Sequence, residues 1–212
     1  MVLLIENQYF GTINYFNEVV SNANVAFEIN DTYLKMSFRN RCIIAGANGL
    51  ITLSVPIEKG RNHQQITKDV KISYHENWIN AHTRAIASCY NRAPFFEYYK
   101  DSLFDIFRRK HPFLLDLNMD LFNWLLKQYK IVLNTSFTTD YHLVVDDNYS
   151  DYRNKFLPKN HQNFAIPGLK YQQVFEERIG FNPNLCILDW LFCAGPSAIK
   201  LVKGNENQSI SI

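Results

Sequence analysis

Apolar residues along the chain fall into two periods, and the period changes once. Val2-Leu3-Leu4-Ile5 is a continuous β-forming run, the pattern of a buried strand. It halts in the polar and aromatic cluster Glu6-Asn7-Gln8-Tyr9. Ile13, Phe16, Val19 and Val20 then follow helical spacing, with Thr12 or Asn14 as the cap. Val25-Ala26-Phe27-Glu28-Ile29 reads as a second strand, ended by Asn30-Asp31. Cys42–Ala45 and Leu50–Val55 flank Asn48-Gly49, a strong hairpin signal, and Pro56 closes the second of these runs. The polar residues 59–65 read as a surface loop, and the alternation of Asp69-Val70-Lys71-Ile72-Ser73 as a further strand.

From residue 76 the spacing is helical. Trp78, Ala81, Ala85, Ile86, Cys89 and Tyr90 predict one helix, stopped at Ala93-Pro94. Phe95, Phe96, Tyr99, Leu103 and Phe107 predict a second, closed by His111-Pro112. A third is predicted from about Asp116 to Leu133, capped by Asp116 or Asn118. A short β-like piece follows at Ser136–Thr139, extended by His142–Val145. Residues 146–162 look like a long surface loop, and Tyr171–Phe175 like a strand or turn. Asn182-Pro183-Asn184 introduces a helix from Leu185 to Cys193, with a last short one at 197–202 and a polar tail at 204–212. Strands early and helices later predict a single α+β domain over 1–212, with a mixed β-sheet from the N-terminal third and helices packed against it.

Composition narrows the classes. With 47% hydrophobic residues the chain builds a real core, so wholesale disorder is excluded. A net charge of +2 from scattered basic residues argues against a nucleic-acid partner. The densest cluster, Arg108-Arg109-Lys110, sits where cations complement a helix dipole. Cys42, Cys89, Cys186 and Cys193 form no metal-type array and read as reduced, buried thiols of a cytoplasmic protein. No stretch approaches the length of a membrane span, and the opening run lacks the flanks of a signal peptide. Phosphate-cradling loops, a nucleophile elbow and zinc-type histidine spacing are missing, so neither cofactor nor metal is expected.

Several residues carry candidate chemistry. Arg39-Asn40-Arg41 lies in a strand-like stretch, where Arg39 and Arg41 would share a face and grip a phosphate or carboxylate; the alternative is two solvated arginines. His82 stands one turn from Trp78, either as a proton carrier or as a satisfied core histidine, and Cys89 lies two turns further on. Glu6, Gln8 and Tyr9 end a buried strand, so they face a ligand or tie down the next helix. Asp189 interrupts an apolar helix and needs Arg39 or Arg41 as partner unless it is exposed.

These pieces resemble the WbqC-like family of bacterial surface-polysaccharide gene clusters. Tyr9, Tyr15 and Phe16 match its opening block, although that block's glutamine, both prolines and glycine are replaced. Tyr33, Lys35, Arg39, Asn40 and Arg41 match the second block, and Val55-Pro56 follows the hairpin. Trp78 and His82, then Tyr90, Ala93, Pro94, Phe95 and Phe96, match the helical block. Phe181, Pro183, Asn184, Leu185 and Asp189 match the last. A Gly-rich segment common in relatives is replaced by 146–162. The resemblance implies an acyl transfer, of an amino acid such as glycine, onto an amino sugar of O-antigen. His82 would be the catalytic base; Tyr9, Arg39, Asn40, Arg41 and Asp189 would bind a sugar or nucleotide-sugar. The alternative is a non-catalytic protein that holds a nucleotide-sugar or a partner enzyme.

Overall fold

In the computed structural model, which describes residues 1–58 and 65–196, the opening apolar run is strand β1, Val2–Glu6. Helix α1, Ile13–Ser21, starts where Thr12 caps it: its hydroxyl accepts the Tyr15 N–H at 3.3 Å, which stabilises the helix by about 1 kcal/mol. Between strand and helix the chain reverses through two left-handed residues, Phe10 (φ 62°) and Gly11 (φ 55°). A side chain at Gly11 would run into the Tyr15 ring, so glycine is required there.

Strand β2, Asn24–Glu28, lies parallel to β1. Arg41–Gly46 (β3) and Gly49–Ser54 (β4) form the expected antiparallel hairpin around the two-residue loop 47–48. Three helices follow: α2, Trp78–Tyr90; α3, Phe96–Arg108; and α4, Leu114–Tyr129. Asn118 does not cap α4 but lies within it, buried, donating to the Arg39 carbonyl at 2.8 Å. Strand β5, Asn134–Phe137, and strand β6, Tyr149–Asp151, complete a four-stranded parallel sheet in the order β5-β2-β1-β6. Near the C-terminus stand α5, Glu176–Ile179, and α6, Ile187–Ala194.

The fold is α+β, a parallel sheet and a separate antiparallel pair with helices. The sheet draws on more than the N-terminal third, since β5 and β6 come after the helices. Strand β6 falls inside 146–162, where a loop was expected. Tyr-Ser-Asp carries no apolar run; it is a strand because Val2, Leu3 and Leu4 pair with it. Residues 69–73 are not a strand: a 3₁₀ turn, Thr67–Asp69, leads into single bridges to Ile57 and Phe113. Neither 142–145 nor 171–175 is a strand. Helix α6 begins two residues later than expected because Cys186 bridges Thr12 and donates its N–H to Ile43. The expected short helix at 197–202, the tail, and most of the loop at 59–65 lie outside the described residues.

Alternation along β1 and β2 splits the sheet into two unlike faces. Leu3, Ile5, Val25 and Phe27 join the main core beneath α1 and α4, with Phe27 edge-on to Phe122 at 5.3 Å. Leu4, Glu6, Ala26 and Glu28 point the other way and are buried, though they are not part of that core. The segment between β5 and β6 faces Leu4, Ala26 and Glu28, and Asn154, just past β6, meets Glu6.

Candidate functional site at the carboxyl edge of the parallel sheet

Because the four strands are parallel, their carboxyl ends share one edge, the place where open sheets present ligand groups. Glu6 and Glu28, the last residues of β1 and β2, are direct partners in register. Two carboxylates side by side and buried (1% exposed each) repel unless each is neutralised or satisfied. Glu6 accepts from Gln8 Nε2 and from the Asn154 N–H, both at 2.7 Å. Burial pushes its pKa up, while the positive charge of Arg39 and these hydrogen bonds draw it down. Glu28 accepts from Thr138 Oγ1 at 2.8 Å and the Asn30 N–H at 2.9 Å, and pairs with Arg153 at 3.2 Å. Asp31, just beyond β2, takes Arg39 at 2.5 Å on one oxygen and Thr67 Oγ1 at 2.5 Å on the other. Arg39 also donates to Asn154 Oδ1 at 2.8 Å. Asn154 holds a left-handed backbone (φ 59°), an unfavourable state of the kind that gathers at functional sites.

Two clefts open on this edge. One, of about 280 Å³, lies on the face away from the helices, lined by Leu4, Ala26, Glu28, Asp140, His142 and Asp146. The other, of about 330 Å³, is lined by Asp31, Thr32, Tyr141, Leu143, Asp151 and Arg153. Successive residues of 140–143 face them in turn, so one extended segment is their shared wall. Among the described residues no set of three or more His, Cys, Asp or Glu is placed to hold a metal ion.

Tyr9 and His82 meet elsewhere. The phenol donates to His82 Nδ1 at 2.9 Å, with both side chains buried. Burial lowers the histidine pKa to about 4, against a hydrogen bond to the Ser54 backbone. Burial likewise drives the Tyr9 pKa far up, so the pair rests as neutral phenol and neutral imidazole. Trp78 packs edge-on at 5.1 Å, and His82 and Trp78 line a third, open cleft between α2 and β4.

The model of the WbqC-like protein family matches residues 7–154. This chain belongs to that family. It is also similar to an uncharacterized protein of Mycobacterium tuberculosis, Rv1507c, with 26% identity over 93% of this chain and 95% of that protein. No solved structure matches it.

The family match runs from Asn7 to Asn154, so it includes Glu28, Asp31, Arg39, Arg153 and Asn154 of the edge and the Tyr9–His82 pair, and leaves out Glu6 and Asp189. Of the residues singled out from the sequence of this WbqC-like chain, Tyr9 and His82 are brought together, Glu6, Gln8 and Arg39 meet at the sheet edge, and Asn40, Arg41 and Asp189 lie apart. Arg39 sits in the turn before β3 and reaches the sheet edge, while Arg41 opens β3 with its guanidinium against Met36 Sδ at 3.4 Å. They share no face, because the chain turns between them. Asn40 is reciprocally bonded to Val55 and closes the base of the hairpin. Asp189 pairs with neither arginine. It is buried and accepts from Tyr171 at 2.5 Å, Tyr90 at 2.9 Å and Gln173 at 3.2 Å, with its pKa raised by burial against those bonds. Cys89 is buried near Asp189 and Cys186, two turns along α2 from His82. All four cysteines are free thiols, and Cys42 and Cys186 adjoin. No helix among the described residues is long and apolar enough to cross a membrane. Sequence reasoning passed over Glu28, Asp31, Arg153 and Asn154. A charged residue breaking the apolar run of β2 was the one local signal, at Glu28.

Proposed function

We propose that this WbqC-like protein is a cytoplasmic transferase of surface-polysaccharide synthesis that joins an acyl group, an amino acid such as glycine, to an amino sugar at the carboxyl edge of its parallel sheet. The observation that carries this reading is the cleft beside Glu28. It combines the acidic side chains of Asp140 and Asp146 with hydroxyls from Ser136 and Thr139, over Glu28, which Arg153, Asn30 and Thr138 already satisfy. That lining suits a ligand bearing an ammonium group and several hydroxyls, and repels bare phosphates. The ammonium would first give one proton to solvent, so that the free amine attacks; as the nitrogen–acyl bond forms and the acyl–carrier bond breaks, a second nitrogen proton would pass to a base and on to the departing carrier. His82 would be a poor base here, because its Nδ1 lone pair is occupied by Tyr9 and its pKa is low. His142 lines the acidic cleft itself and takes that role in this reading. Arg39 stabilises the floor of the site and does not grip a ligand, since Asp31 and Asn154 already occupy it.

One observation favours the second reading, a non-catalytic protein holding a nucleotide-sugar or a partner enzyme. The carboxylates and guanidiniums of the edge are paired among themselves. Thermal-shift screening against glucosamine, nucleotide-linked amino sugars and nucleotide-sugars without an amine separates the two. Stabilisation confined to amine-bearing compounds, with acylated product detected by mass spectrometry when an activated amino acid is added, supports the transferase. Stabilisation by nucleotide-sugars with and without amine, and no product, supports the binder.

A further inference from the structure

The segment between β5 and β6 is held down in an unusual way. Among the described residues, 139–145 form no backbone–backbone hydrogen bond with the body of the protein. Leu143 and Val144 are 79% and 85% exposed, so hydrophobic packing does not fix the tip. What fixes it is one side chain. Arg153 donates from Nη1 to the His142 carbonyl at 2.8 Å and from Nη2 to the Leu143 carbonyl at 3.5 Å. Its guanidinium lies 5.1 Å from the centre of the Tyr141 ring. The same guanidinium is anchored below by Asp151, at 2.9 and 2.7 Å, and by Glu28 at 3.2 Å.

We infer that residues 139–146 are a lid over the carboxyl edge of the sheet, that Arg153 is its latch, and that releasing the latch merges the two clefts into one site. Thr138, whose N–H is bonded to Phe27, and the turn closed by Tyr149 N–H on Asp146 mark the two ends. The energetics fit a part that opens locally. Two carbonyl contacts and one ring contact are a small barrier beside the burial that holds β1 and β2, so the lid opens without unfolding the sheet. Cleft size points the same way: one cleft, of about 280 Å³, lies just below the roughly 300–1,000 Å³ typical of small-molecule sites, the other, of about 330 Å³, lies at its bottom, and the two merged fall well inside it. Arg153 is thus a positioning residue: it sets where Asp140, His142 and Tyr141 stand. Which ligand enters rests on the reading above; the lid and its latch rest on the geometry alone.

Backbone ¹⁵N relaxation on the full chain without ligand tests the lid, since it reads the motion of amides that no hydrogen bond protects. In Arg153→Lys, order parameters at 139–146 should fall, and in Arg153→Ala they should fall further, to below about 0.6, while β1 and β2 keep the wild-type values. Lysine keeps the charge on Asp151 and Glu28 but loses the fork that reaches both carbonyls, so it separates latch from fold. Unchanged order parameters at 139–146 in both variants would overturn the proposal. So would an equal fall throughout the sheet in Arg153→Lys, which would make Arg153 a structural pin. A glucosamine titration run alongside keeps the two ideas apart: no binding with the predicted pattern of order parameters leaves the lid standing and removes the amino-sugar reading.

Discussion

The two faces of the parallel sheet are built on opposite principles. Beneath it, Leu3, Ile5, Val25 and Phe27 meet α1 and α4 in a continuous apolar layer. Above it, Leu4 and Ala26 sit beside paired carboxylates, under a segment that one arginine ties down. The first arrangement is non-directional and tolerant of exchange among apolar residues. The second depends on partners: taking away one leaves a buried charge unmatched. Non-directional apolar burial therefore holds one face, and paired charges hold the other. The Tyr9–His82 pair and the Asp189 network are intermediate, polar groups fully satisfied inside the apolar layer, where they fix geometry.

Substitutions on the two faces should separate these roles. The largest effect is expected from Phe27→Ala, about 3–5 kcal/mol of unfolding free energy in urea titration, against about 2 kcal/mol for Leu4→Ala, whose site adjoins a cleft. Equal losses would mean that the faces are not distinct. Next comes Arg39→Met, which strands Asp31 and removes a positive charge near Glu6. A loss of about 3–5 kcal/mol is expected, and Asp31→Asn in the same chain should restore a good part of it. If Arg39→Met instead unfolds like wild type, the guanidinium is not a structural anchor.

His82 gives a pH test. Its folded pKa of about 4 lies below the ordinary 6.5, so the fold tolerates only the neutral ring. Above pH 6.5 both states are neutral and this contribution to stability is complete. As pH falls from 6.5 towards 4 the unfolded chain takes up the proton and the folded one does not, so stability drops by roughly 3 kcal/mol. Measured as unfolding free energy at pH 7, 5.5 and 4, wild type should fall by that much more than His82→Phe. Parallel slopes would show that the ring is hydrated and free to titrate. The smallest effect belongs to Arg41→Ala. Its contact with Met36 Sδ is exposed, and less than about 0.5 kcal/mol should be lost, with ligand binding intact.

Much of the architecture was legible because it is local. The β1 run, the Thr12 cap, the hairpin around 47–48 and the start of α2 at Trp78 are each written in a few adjacent residues. What escaped is non-local. Strand β6 has no apolar signature and exists through its pairing with β1, so a reading by composition gives a loop. The alternation at 69–73 has no neighbouring strand to pair along its length, so it remains single bridges. The site divides in the same way. Tyr9 and His82 were found one by one, and their pairing, 73 positions apart in sequence, was not. Arg39 and Arg41 looked equivalent at a spacing of two, and a turn between them sends one to the sheet edge and the other to the hairpin. Arg153 lay in the stretch that read as a loop, yet its partners come from 28, 142, 143 and 151.

The central claim is that ligand chemistry belongs to the carboxyl edge of the sheet and not to the cleft beside His82. Amide chemical-shift mapping by NMR on titration with a nucleotide-linked amino sugar tests it most directly. The account predicts that shifts cluster at 28–31 and 138–154, and that Asp140→Asn with Asp146→Asn abolishes them. Shifts centred on 52–54 and 76–85, retained in that double variant and lost in His82→Gln, would contradict it.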